Sequence, residues 1–158
     1  MSTEGEQKPR AALHLDALKA GRADFQPVVK TMRLGGIVDW KPGWVRKVWK
    51  PSPDLLAVDG TVFGGYLAAL ADQALAFAAM TVLPNDRMFR TISLSVNFYR
   101  LSRNEDLTID ATVTAQSQQV ISVEAEFRNP AGELVAKATA QQVITSLPAT
   151  LRAGAAGS

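Results

Sequence analysis

Residues Gly64 to Leu83 read GGYLAALADQALAFAAMTVL, small and apolar throughout except at Asp72, Gln73 and Thr81. The run is close to the roughly 20 apolar residues a bilayer span takes. A carboxylate at its middle would cost at least ~2.5 kcal/mol in lipid. The stretch therefore reads as a helix of a water-soluble fold, starting near Gly64 and ended before Pro84. A helix apolar on nearly every side must be covered on nearly every side. Its alanines let a sheet come close.

Downstream of Pro84 the hydrophobic period changes from helical to two. Met88–Tyr99 reads as a strand with Ile92, Leu94, Val96 and Phe98 on one face. Leu107–Ala115 repeats the pattern through Leu107, Ile109, Ala111 and Val113. In Val120–Arg128, Ile121, Val123, Ala125 and Phe127 alternate with polar residues. Asn129-Pro130-Ala131-Gly132 is a turn, and Leu134–Ile144 returns. Upstream, Ile37–Trp40 and Trp44–Lys50 read as strands joined by Lys41-Pro42-Gly43. Two short helices precede them: Ala11–Ala20, with Leu13, Ala17 and Ala20 on one side, and Phe25–Met32.

The fold class expected is α+β, a six-stranded antiparallel sheet wrapped around one long central helix. An open sheet of this kind leaves edges that a second copy can pair. With 158 residues the chain is one domain, large enough to hold a core. The expected divisions are a tail and short helix over 1–24, the domain over 25–146, and a flexible C-terminal tail over 147–158. No apolar segment follows the polar start Met1–Arg10, so a cytoplasmic, membrane-free protein is expected.

Composition excludes several chemistries. There is no cysteine, hence no disulfide, thiolate metal site or cysteine nucleophile. The net charge of +2 is too small for a nucleic-acid protein, although residues 1–50 carry ten Lys/Arg against five Asp/Glu. His14 is the only histidine. It sits in the first helix as a solvated residue, without partners for a triad or a metal. No metal or redox cofactor is expected.

Two features of the long helix can carry chemistry. Asp72 is a carboxylate in apolar surroundings, and desolvation there is expected to raise its pKa unless it finds partners; Gln73 beside it could serve the same structural part. Gly64-Gly65 opens the helix with free backbone N–H groups, where a ligand can approach closely. The two features lie about 12 Å apart along the axis at 1.5 Å per residue. An attacking group would have to come from another chain or across the sheet.

The stretch Gly60-Thr61-Val62-Phe63-Gly64-Gly65, with Asp72 further on, resembles the signature of hotdog-fold thioesterases of the phenylacetyl-CoA type. That signature is asparagine, two residues, glycine, two residues, His-Gly-Gly, and an acid nine positions after the histidine. Gly60, Gly64, Gly65 and Asp72 match in register. Arg90 to Phe98 and the hairpin return Gly132 to Ala136 resemble the family's later strands. The resemblance implies a homodimer or tetramer that hydrolyses acyl-CoA. Asp72 would be nucleophile or general base, the Gly64 amide the oxyanion donor, and Thr91 the helper that orients water. In the family the acid and its helper come from different subunits.

The sequence departs from that signature at two places. Phe63 stands where the family has histidine, and Ala57 where it has asparagine. The backbone donor and the acid survive, and related double-hotdog thioesterases also carry an aromatic before Gly-Gly. Substrate contacts are expected from Phe63, Gly65, Tyr66, Gln73 and Arg90, with Phe77 another aromatic on the helix. Arg46, Lys47 and Lys50, and Arg87, Arg90, Arg100 and Arg103, are basic clusters that would suit coenzyme A phosphates or else lie solvated at strand ends. Trp40, Trp44 and Trp49 read as packing residues. The rival to hydrolysis is a module that binds acyl-CoA or a hydrophobic acid without turning it over. A hydratase is the weaker third reading, since those relatives use a catalytic histidine.

Overall fold

The computed structural model describes residues 8–153. Its elements are α1 (Arg10–Lys19), α2 (Pro27–Thr31), β1 (Asp39–Lys41), β2 (Trp44–Trp49), α3 (Gly64–Met80), β3 (Arg87–Phe98), β4 (Leu107–Gln116), β5 (Val120–Arg128), β6 (Leu134–Ser146) and α4 (Ala149–Ala153). The strands form one antiparallel sheet in the order β1-β2-β4-β5-β6-β3. That sheet bends round α3, which touches β2 through β6. This is the sheet-around-helix architecture expected from the sequence.

The core follows from the two periods. Leu67, Leu70, Ala71, Ala74, Leu75 and Ala78 of α3 are buried against the inward residues Ile109, Ala111, Ile121, Val123, Ala125 and Phe127. Each fully buried Leu, Ile or Val contributes about 1.5–3 kcal/mol by leaving water. The alanines opposite Ala125, Ala138 and Ala140 keep helix and sheet close. Entry into α3 is set by a turn from Ala57, whose carbonyl accepts the Gly60 N–H at 2.9 Å. Gly60 there has φ +79°, a backbone that a side chain would strain.

Four expectations are corrected. First, α3 is not covered on all sides. Gly65 and Asp72 are exposed and Ala69 and Ala76 half-buried, and their spacing puts them on one open stripe beside β3. Second, β3 does not alternate evenly. Thr91 pairs Gln142 and Ser93 pairs Gln141, so Ile92 is an extra residue in a β-bulge. Because paired residues share a face, Thr91, Leu94, Val96 and Phe98 all point inward with Gln142, Ala140, Ala138 and Ala136. Without the extra residue, Thr91 would face the opposite side from Phe98. Third, α1 turns Leu15 and Leu18 inward, not Leu13, which is 55% exposed, and so joins the same core as the sheet. Fourth, the stretch after β6 begins with a buried Leu147 and the short helix α4 where a loose tail was expected; residues 154–158, like 1–7, lie outside the described residues.

The two sheet edges differ. β1 is three residues long, whereas β3 is twelve and carries exposed Ile92 and Phe98. A long apolar edge is a template for another strand. No helix among the described residues is long and apolar enough to cross a membrane.

Candidate active site

The open stripe of α3 and the bulged part of β3 meet at one polar contact. The Thr91 hydroxyl lies 3.0 Å from Asp72 Oδ1 and 2.9 Å from Gln142 Oε1. Asp72 stands exposed in the single chain, where the sequence suggested a buried carboxylate. Thr91 and Asp72 meet within one chain.

At the helix start, Tyr66 and Leu67 both give their N–H to the Phe63 carbonyl, and the N-cap makes no side-chain bond. The Gly64 and Gly65 N–H groups have no protein acceptor among the described residues. Two aromatic rings explain why glycine stands at both places. A Cβ on Gly64 would lie 3.3 Å from the Phe98 ring, and one on Gly65 only 2.7 Å from the Phe63 ring. Phe63 itself is 68% exposed. The Gly64 amide and Asp72 are eight residues apart on one helix, about 12 Å. Reacting atoms must approach to about 3–3.5 Å, so a single chain cannot bring both to one carbonyl.

Residues 59–136 match the family model described as thioesterase superfamily. The chain resembles that superfamily over this central stretch. Among solved structures, a putative thioesterase from Ralstonia eutropha JMP134, called a phenylacetic acid degradation-related protein, is 25% identical with TM-score 0.73, over 82% of this chain and 98% of that one. A thioesterase family protein from Silicibacter pomeroyi is 21% identical with TM-score 0.74, over 87% and 99%. A hypothetical thioesterase from Streptococcus pneumoniae TIGR4, solved with coenzyme A, is 24% identical with TM-score 0.64, over 72% and 90%. No curated protein matches the chain.

Two residues expected to bind substrate are committed elsewhere. The Tyr66 hydroxyl donates to the Met32 carbonyl at the end of α2, with the Arg33 carbonyl 3.2 Å away, and its ring packs 5.1 Å from that of Trp49. Burial pushes its pKa up. Gln73 accepts from Lys47 Nζ at 2.5 Å and donates to the Gly35 carbonyl at 2.8 Å, so its amide ties β2 at one end and the loop before β1 at the other.

The first basic cluster is also absorbed. Arg46 forms a two-pronged pair with Asp110 and lies over Trp44. Lys47 is only 1% exposed and gives its second bond to the Leu34 carbonyl at 2.6 Å. Burial without a carboxylate lowers its pKa to about 7. Trp49 is buried, and Trp40 donates to Asp16 at 3.0 Å, both in packing roles.

Arg90 stands differently. With Arg10, His14 and Arg87 it lines a cavity of about 460 Å³ at the far end of α3, floored by Met80 and Phe89. Neither Arg90 nor Arg10 has a carboxylate within ion-pair distance among the described residues. His14 is exposed, as expected, and partial burial lowers its pKa. Among the described residues, no three His, Cys, Asp or Glu side chains gather as metal ligands.

Sequence reasoning missed Gln142, and it gave Lys47 to coenzyme A phosphates or to solvent where the structure buries it. Each was visible as a polar residue in an inward register: Gln142 continues the run Ala136, Ala138, Ala140, and Lys47 stands between Val45 and Trp49.

Proposed function

We propose that the chain hydrolyses an acyl-CoA thioester in a dimer whose two sites are each built from both copies. The observation that carries this reading is the exposed Asp72, bonded to Thr91 on an open stripe of α3 beside an unpaired twelve-residue edge. Pairing β3 with β3 of a second copy covers Ile92 and Phe98. It also brings the bare Gly64 amide of one copy toward Asp72 of the other, which removes the 12 Å separation. The superfamily match and the coenzyme A-bound pneumococcal structure support the substrate class.

In this reading the thioester carbonyl oxygen accepts the Gly64 N–H, which offsets the charge that develops on it. Asp72 takes a proton from water, and the resulting hydroxide adds to the carbonyl carbon. The carbon–sulfur bond then breaks, and the departing thiolate recovers the proton from Asp72. Alternatively, Asp72 attacks the carbon itself and expels the coenzyme A thiolate, and water then cleaves the mixed anhydride, releasing the acid and restoring the carboxylate. Thr91 holds the carboxylate. Phe63 and Gly65 line the approach to the amide, and Arg90 with Arg87 and Arg10 receives coenzyme A phosphates. A coenzyme A substrate supports a cytoplasmic location.

Phe63 favours a second reading. Its ring lies over Gly65 where the family signature has histidine, which suits a module that holds acyl-CoA without cleaving it. Free-thiol release from short, long and aromatic acyl-CoAs, run beside Asp72→Ala, decides between them. Turnover that collapses in the variant supports hydrolysis. Thermal protection by acyl-CoA with no thiol released supports the binding module.

A further inference from the structure

We propose that Gln142 is a positioning residue of this site: its side-chain amide donates to Thr91, and Thr91 in turn donates to Asp72. The argument begins with hydrogen counting. The Thr91 hydroxyl lies within hydrogen-bond distance of two oxygens, Asp72 Oδ1 and Gln142 Oε1. A carboxylate oxygen and an amide oxygen both only accept, and one hydroxyl has one hydrogen to give. The two contacts cannot both be bonds.

Burial settles which contact yields. Gln142 is 0% exposed, and its Nε2 has no partner among the described residues. An amide group leaving both N–H bonds empty in a dry interior costs about 1–3 kcal/mol. The two ends of a primary amide are nearly the same size, so a half-turn about the last bond puts Nε2 at the position 2.9 Å from Thr91. One N–H then has an acceptor, the clash of two oxygens is gone, and the threonine hydrogen is free for Asp72. The chain of donors runs one way, from Gln142 through Thr91 to Asp72 Oδ1. Each bond polarises the next. Asp72 Oδ2 is left to face solvent or substrate.

The backbone enforces the chain. Thr91 and Gln142 are directly paired across β3 and β6, and the extra residue at Ile92 keeps Thr91 on the inward face while the rest of β3 stays in register. The positioning group sits in the core, where it cannot drift when the exposed carboxylate is loaded.

The catalytic part rests on the hydrolysis reading, so the test has an arm independent of turnover. In nitrogen-15 NMR of the full-length protein, one Gln142 side-chain amide proton should show a nuclear Overhauser contact to Thr91. The Gln142 amide nitrogen should shift in Thr91→Val. An amide with no contact to Thr91 and no shift in that variant overturns the proposal, whether or not a thioester is cleaved. In hydrolysis, Gln142→Leu should lower kcat about tenfold and leave KM within about twofold, with Tm held or raised. Gln142→Glu is the sharper variant. Its carboxyl donates to Thr91 only while protonated, so its kcat should approach wild type at acid pH and fall about tenfold at alkaline pH relative to wild type. An unchanged kcat in Gln142→Leu, or a Gln142→Glu profile that parallels wild type, overturns the catalytic part.

Discussion

Thr91 gives its hydroxyl hydrogen to Asp72 across 3.0 Å, joining the sheet edge to the open stripe of the central helix. The two residues are 19 apart in sequence and lie on different elements. Asp72→Asn keeps the shape and removes the base. Thiol release should fall at least 100-fold, the usual scale for a lost general base. Thr91→Val should cost about tenfold, mostly in kcat, because it loosens the carboxylate without removing it. Steady-state kinetics on one cleaved acyl-CoA checks both.

The glycine pair gives a test by double substitution. Gly65→Ala places a Cβ 2.7 Å from the Phe63 ring, and the ring is exposed enough to swing aside. The single variant should lose about 1 kcal/mol or less, since alanine is the better helix former by about that amount. Combined with Phe63→Ala, the steric part of the loss should vanish. Denaturant unfolding of the two singles and the double reads the coupling. Additive effects would show that the ring does not rest on Gly65 in solution.

The β3 edge makes a prediction about assembly. Wild type should sediment at twice the chain mass. Ile92→Lys puts a charge on the exposed apolar edge and should give a monomer. That monomer should keep its circular dichroism spectrum and lose turnover, because Asp72 and Thr91 survive but the second copy's amide does not arrive. An active monomer would sink the two-copy site.

Buried Lys47 should make stability depend on pH. Its folded pKa is about 7 against 10.5 for the free side chain. Between those values the unfolded chain holds a proton that the folded chain has released, so stability rises with pH across the window and its lowest level is reached below about 7. Lys47→Met should remove that slope. It also strips a donor from the Leu34 and Gln73 oxygens, so its stability at pH 10 should lie about 1–3 kcal/mol below wild type. Unfolding free energies at pH 7, 8.5 and 10 for both proteins check the difference in slope.

The sheet, its order of elements and the long helix were legible because burial imprints a period on sequence: two in the strands after Pro84, near-uniform apolarity in α3. Asp72 and the glycine pair could be picked out because each breaks or ends such a pattern, whereas Thr91 was reached only through the family resemblance. What stayed hidden was parity and pairing. One residue of slippage at Ile92 changes which side chains of β3 share a face, and no local composition announces it. Tyr66 and Gln73 looked available on a helix wheel, yet their polar ends are consumed by the carbonyls of residues 32–35, a loop distant in sequence. The exposure of Asp72 was likewise invisible, since it depends on the sheet closing on the other side of the helix.

The strand order also bears on how the chain comes off the ribosome. β3 is made before β4, β5 and β6, yet its only neighbour in the sheet is β6, the last strand. About fifty residues must be added after Phe98 before that neighbour is complete, roughly 2–10 s at ordinary synthesis rates. Throughout that interval the strand that later holds Thr91 is an unpaired, apolar, nascent segment, open to chaperones and to neighbouring nascent chains. Two chains emerging side by side from one messenger would present the same twelve residues to each other first.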